Sequence, residues 1–142
     1  MTDIIVMRTT GKGAPKVDLG IPDQKTLIKG KYKTKTRNHD VSADGRLFTG
    51  IWECTPGKVP CNYVEWEFCH LIEGKVVLVS ETGKKWTLKK GDGFISPAGF
   101  KGTWETVDTG RNNYVILMPA TKKATRRPSR QAVAKAELDA AC

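Results

Sequence analysis

The sequence predicts an all-β domain, an antiparallel sandwich or barrel, on three observations. Between residues 46 and 117, short runs rich in β-branched and aromatic residues alternate with Gly, Pro and Asp turns. No helical stretch separates these runs, and 142 residues suit one domain whose core needs neither disulfides nor metal. Short strands spaced this regularly are the mark of sandwiches and barrels.

In chain order the runs cover residues 47–53, 63–72, 76–80, 85–88, 93–95, 101–107 and 113–117. Turn chemistry bounds them at Thr55-Pro56-Gly57, Glu73-Gly74, Thr82-Gly83, Lys90-Gly91-Asp92, Pro97-Ala98-Gly99 and Thr109-Gly110. Ahead of them, residues 1–36 are punctuated by Gly11, Gly13, Pro15, Gly20, Pro22 and Gly30 and show little period of either kind. This reads as an N-terminal arm, with Ile4, Ile5 and Val6 as one short strand and Leu27 and Ile28 as an apolar touch-down point. The domain proper is expected over 37–119. Residues 120–142 shift to Ala, Lys and Arg, a basic tail that is helical or disordered. Residues 128–141 fit one helix with Pro128 near its first turn, and a lone short helix is marginal in water without a partner.

The net charge of +9 suggests nucleic acid until it is divided along the chain: the excess is +5 over residues 1–50, zero over 51–119 and +4 over 120–142. A neutral body with basic ends argues for solubility and weak anion contacts more than for a DNA or RNA face. No helix-turn-helix, RNP-like or zinc-finger pattern accompanies the charge, which argues against a nucleic-acid partner. No apolar run is long enough to span a bilayer, and the first eight residues are too short and polar for a signal peptide. Cys54, Cys61, Cys69 and Cys142 show no CxxC spacing, so free thiols in a reducing cytoplasm are expected.

Chemistry concentrates in two segments, Tyr63-Val64-Glu65-Trp66-Glu67-Phe68-Cys69-His70-Leu71-Ile72-Glu73-Gly74 and Gly91-Asp92 followed by Pro97-Ala98-Gly99-Phe100-Lys101-Gly102-Thr103-Trp104-Glu105. Together they resemble the small single-domain cupins, and more narrowly the cupin_3 (DUF861) group, to which ureidoglycine aminohydrolase-like and ethanolamine-utilisation cupins are related. The likeness covers roughly residues 44–117 and neither end. It implies an RmlC-like jelly roll, a β-barrel, and with the arm a homodimer. In metal-binding cupins the first motif supplies two histidines and a glutamate, and the second a third histidine. On this chain the resemblance puts Glu67 at the glutamate, Cys61 and Tyr63 at the first two histidines and Gly102 at the third, with Gly74 closing the hairpin. Gly102 then permits tight backbone and leaves room where an imidazole would sit.

Strand alternation gives an independent check, since residues two apart share a face. Cys61, Tyr63, Glu65, Glu67, Cys69 and Leu71 have one parity and Trp66, Phe68 and His70 the other, so His70 points out if Glu67 points in. His39 precedes the barrel as a loop residue. Cys61 and Glu67 remain as ligands for a divalent metal, although no cofactor is expected, because thiolate and carboxylate without histidine make an unusual set. Two carboxylates on an inward face suggest a wet cavity or a cationic ligand, and proximity would fit Glu65 or Glu67 for acid–base work. Tyr63, Cys69, Phe100 and Trp104 join them as ligand-binding residues, Phe100 and Trp104 as an aromatic wall at the mouth.

Three functions follow: a cupin binding a small polar or amine-bearing molecule without the His-rich metal site; an enzyme of small metabolites using Glu67 as acid/base or metal ligand; and a regulatory or structural partner acting through basic arms.

Overall fold

The β-branched and aromatic runs pair into a curled antiparallel sheet in the computed structural model, which describes residues 2–21 and 23–120. The strands are β1 (Asp18–Gly20), β2 (Lys29–Gly30), β3 (Thr34–Val41), β4 (Leu47–Cys54), β5 (Gly57–Asn62), β6 (Trp66–Ser80), β7 (Lys85–Lys89), β8 (Gly93–Ser96) and β9 (Lys101–Leu117). The described residues form no helix, so none is long and apolar enough to cross a membrane. The helix expected over 128–141 lies outside the described residues.

Two long strands organise the barrel. β6 and β9 run antiparallel from Trp66 opposite Leu117 to Ser80 opposite Gly102, with register shifts between Leu71 and Val76. The first half of β6 takes β8 as its other neighbour and the second half takes β7. Likewise β9 pairs with β5 through residues 101–106 and with β4 through 110–117. Two sheets therefore share one bulged strand pair, β1-β3-β4-β9-β6-β8 and β2-β5-β9-β6-β7, the rolled sandwich of a jelly roll.

The turn expected at Glu73-Gly74 is not a hairpin. Gly74 sits inside β6 at φ +95°, and a Cβ there would come within 2.6 Å of the Thr109 carbonyl oxygen and 2.7 Å of Gly110 Cα. Glycine is needed because β6 and β9 cross closely at the point where both change sheets. The turn expected at Thr109-Gly110 is likewise the interior of β9.

Four strands went unpredicted, the short β1 and β2 and the longer β3 and β5. In β3 the inward residues are Thr34, Thr36 and Asn38, all buried and all polar, so no apolar alternation marks the strand. β5 contains Pro60, which is tolerated because β2 pairs only with Lys58 and Gly57, leaving that flank of β5 open beyond them. Conversely, the strand expected at Ile4, Ile5 and Val6 is irregular backbone, and these side chains are exposed. The flank of β3 is taken by β1 instead, which leaves Ile4, Ile5 and Val6 without a ladder. Leu27 packs against the core as a touch-down point, while Ile28 only donates its N–H to the Lys58 carbonyl at 2.8 Å and leaves its side chain exposed.

The core lies between the sheets, built on Phe48, Trp52, Leu71, Val76, Trp104, Tyr114 and Ile116. On the outer side, Glu53 of β4 accepts from Arg37 of β3 and from Arg111 of β9, the latter at 3.0 Å. Burial pushes the Glu53 carboxyl up, and the two guanidiniums outweigh it, holding the group below the usual carboxylate range. The triad ties three strands together across that face.

Candidate functional site

Alternation carries the first motif into the barrel as its parity predicts. Cys61, Tyr63, Glu65, Glu67, Cys69 and Leu71 are each at most 3% exposed, whereas His70 is exposed and Trp66 is 37% exposed. Residues 63–65 are a bend between β5 and β6, not strand, yet the inward facing persists because backbone bonds pin the segment. Tyr63 N–H donates to the Phe100 carbonyl at 2.8 Å, and Gly99 N–H donates to the Tyr63 carbonyl at 2.6 Å. The Pro97–Gly99 turn of the second motif is thus fastened to the start of the first, and the Tyr63 and Phe100 rings meet edge-on with centroids 6.0 Å apart.

Behind that junction the groups are polar. Glu67 lies opposite Ser96 on one side and Ile116 on the other, and both Glu67 and Ser96 are buried. Burial raises the Tyr63 phenol well above its ordinary value, the neighbouring Glu67 carboxylate and Cys69 add to the rise, and the Ser96 hydroxyl opposes it. Tyr63 therefore stays a neutral phenol in the field of Glu67. Further round the wall, Tyr114 donates to the Asn38 side chain at 2.8 Å. The Trp52 indole N–H and the Asn112 amide oxygen, on paired residues, are buried without a hydrogen-bond partner among the described residues. Such groups are rare unless a polar guest satisfies them.

The residues that resemblance assigns to metal do not supply the usual donors. Cys61 is opposite Gly102 in the ladder, and burial pushes its thiol up to about 12, so it stays protonated at neutral pH. At Gly102 the space expected for an imidazole is occupied: a Cβ there would sit 1.9 Å from the Val79 carbonyl oxygen and 3.0 Å from Ser80 Cα. That expectation is corrected by backbone, since β6 passes directly over the position. His39 is a bulge residue of β3 whose Nε2 lies 2.7 Å from the Arg8 carbonyl oxygen. Among the described residues no three His, Cys, Asp or Glu side chains are grouped to hold a metal ion. Cys54, Cys61 and Cys69 are buried and form no disulfide.

The aromatic wall differs from the one expected. Phe100 lines the cavity between β7 and β8, together with Trp86 and Phe94. Trp104 lies a layer deeper at 1% exposure, packed against Trp52 and Phe94. Trp86 was legible in principle: it shares a face with Leu88 in the strand Lys85–Lys89, where every other side chain is polar or charged. Ser96 carried no signal beyond its parity with Phe94.

Comparison with known proteins agrees with this geometry. The family model described as the EutQ-like cupin domain matches residues 41–114, just over half the chain. A protein of unknown function from the DUF861 family of Pseudomonas syringae pv. tomato has a similar structure, with 25% identity and a TM-score of 0.65 over 71% of this chain. The match spans 44% of the Pseudomonas protein, less than half its length. The EutQ protein of Clostridium difficile superposes with a TM-score of 0.56 at 20% identity, over 70% of this chain and 80% of its own. A putative ethanolamine utilization protein from Salmonella typhimurium gives 0.54 at 17%, over 72% and 97%; at these identities the likeness is one of fold. No curated protein sequence matches the chain.

Proposed function

The chain belongs to the EutQ-like cupin family, and on that premise we propose that it binds a small polar or amine-bearing molecule inside the barrel, without the histidine-rich metal site of metal-binding cupins. The observation that carries this reading is the placement of Glu65 and Glu67, 1% and 2% exposed, on the inward face beside Tyr63. Two carboxylates held away from water are costly, and a protein keeps such groups where a polar or cationic partner meets them. The unpartnered Trp52 and Asn112 atoms point the same way. The test is tryptophan fluorescence of untagged protein titrated with a panel of small amines and polar metabolites, run beside metal analysis. A saturable change that disappears in the Glu65→Gln, Glu67→Gln double variant is the expected result. Persistence of the change in that variant, or stoichiometric metal lost on Glu67→Gln, overturns the reading.

The protein also acts as a homodimer on this reading, in the cytoplasm, where its buried thiols stay reduced. One sheet face supports it: Leu47, Leu117 and Trp66 form a row that continues to Ile95 through Val115 and Phe68, and Leu47, Leu117, Trp66 and Ile95 are between 37% and 57% exposed. The arm adds Ile4, Ile5 and Val6, exposed by 53% to 91%. A patch of this kind with no net charge at its centre suits pairing with its own copy, since the full chain carries +9 and would otherwise repel itself. Sedimentation at micromolar concentration is expected to give a dimer that Trp66→Asp converts to monomer; a wild-type monomer sinks the idea.

A further inference from the structure

Among the described residues β7 and β8 each pair only with β6, on opposite halves of that strand, so a gap is left between them. It opens onto a cavity of about 330 Å³ walled by Leu78, Trp86, Leu88, Phe94 and Phe100, with Ser96 also among its lining residues. That volume is at the small end of ligand pockets, which run from ~300 to ~1,000 Å³. Trp86 and Phe100 meet at 68° with centroids 6.0 Å apart, forming an aromatic corner at the mouth. The Trp86 ring also draws a cation, the Lys84 ammonium standing 5.4 Å from its centroid.

The inner end has the opposite character. Ser96 is paired directly with Glu67, and both side chains face inward, buried to within 3%. Residues opposed in this way hold their Cβ atoms about 5 Å apart, so Glu67 adjoins Ser96 from behind, without itself lining the cavity. Phe100, on the other wall, packs on Tyr63, whose phenol feels the same carboxylate. The apolar walls thus end at Ser96, with Glu67 in the layer behind it.

Each end excludes a class of ligand. A small hydrophilic molecule gains nothing from five apolar walls, and a pure hydrocarbon offers nothing to a buried carboxylate. We propose that the cavity takes primary amines that carry an aromatic or alkyl body, with the ammonium directed at Ser96 and Glu67 and the body against Trp86 and Phe100. This rests on the barrel-binding reading and narrows its ligand from small polar amines to amphiphilic ones.

Calorimetry on the full chain with benzylamine, benzyl alcohol and methylamine tests it. Benzylamine is expected to bind at least about tenfold more tightly than either of the others, the difference one matched end supplies. Glu67→Gln brings benzylamine to the level of benzyl alcohol, and Trp86→Ala weakens it about tenfold. Trp86 is 37% exposed, so its variant keeps the fold and the test stands even where a Glu67 variant does not. Methylamine bound as tightly as benzylamine overturns the amphiphilic class while the barrel-binding reading survives. Benzyl alcohol bound as tightly as benzylamine removes the ammonium from the recognition, and no binding of any probe overturns the proposal outright.

Discussion

Gly102→Ala is expected to lower stability by about 3–5 kcal/mol, read as a shift in urea midpoint, and to do so although it adds one methyl group. The added Cβ would lie 1.9 Å from the Val79 carbonyl oxygen, 2.9 Å from the Val79 carbonyl carbon and 3.0 Å from Ser80 Cα. None of these is the end of a flexible side chain. All belong to β6, which β7 holds at Val79 through Lys85 and β9 holds through Thr103 and Gly102, so relief means breaking ladder bonds. Gly83→Ala supplies the contrast: its φ of +87° is unfavourable to alanine, but nothing lies within 4 Å, so about 1 kcal/mol is expected there. Gly102→His extends the argument to metal. Joined to Cys61→His and Tyr63→His it restores the histidine types that resemblance assigns, and the expected product is a destabilised protein with no more bound zinc than the wild type. A Gly102→Ala protein with the wild-type midpoint overturns the packing account.

What the sequence made legible was whatever depended on alternation. The parity from Cys61 to Leu71 predicted six buried side chains and an exposed His70, and it held through a bend because parity follows the chain wherever both ends of a short segment are pinned. Hidden features were those in which the usual sign was reversed. β3 turns polar residues inward, so its burial left no apolar trace, and its Asn38 is recognisable as interior only through the Tyr114 hydroxyl. Glycine was ambiguous in the same way. At Glu73-Gly74 it reads as the end of a strand, while the structure uses it for a crossing inside one. At Gly102 a small residue reads as vacant space, while its smallness is the consequence of a neighbouring strand. Distinguishing these needs knowledge of what lies across the sheet, which no local pattern contains. The cavity mouth was hidden for a related reason: it is made where two strands fail to meet.

Trp104→Ala is expected to cost a further 3–5 kcal/mol, and the location of that cost decides between core and rim. The ring packs edge-on to Trp52 at 5.6 Å and tilted against Phe94 at 6.0 Å, and its indole N–H donates to Thr106 Oγ1 at 3.0 Å, which in turn donates to Cys54 Sγ at 3.3 Å. Truncation leaves a void bounded by two rings on separate strands and removes the donor to the buried Thr106 hydroxyl, which keeps only its bond to Cys54, so the transfer, cavity and hydrogen-bond terms all have one sign. Trp104→Phe keeps most of the volume and loses the donor, for which about 1–2 kcal/mol is expected. Phe100, half-buried and turned to the cavity, belongs to the other class: Phe100→Ala is expected to lose less stability than Trp104→Ala and more amine affinity. Urea unfolding of the three variants beside benzylamine titration separates the roles. A Trp104→Ala protein as stable as wild type but unable to bind would return the ring to the mouth of the barrel, and with it the assignment of the cavity between β7 and β8 would fall, because Phe94 can line that cavity only while Trp104 supports it from behind.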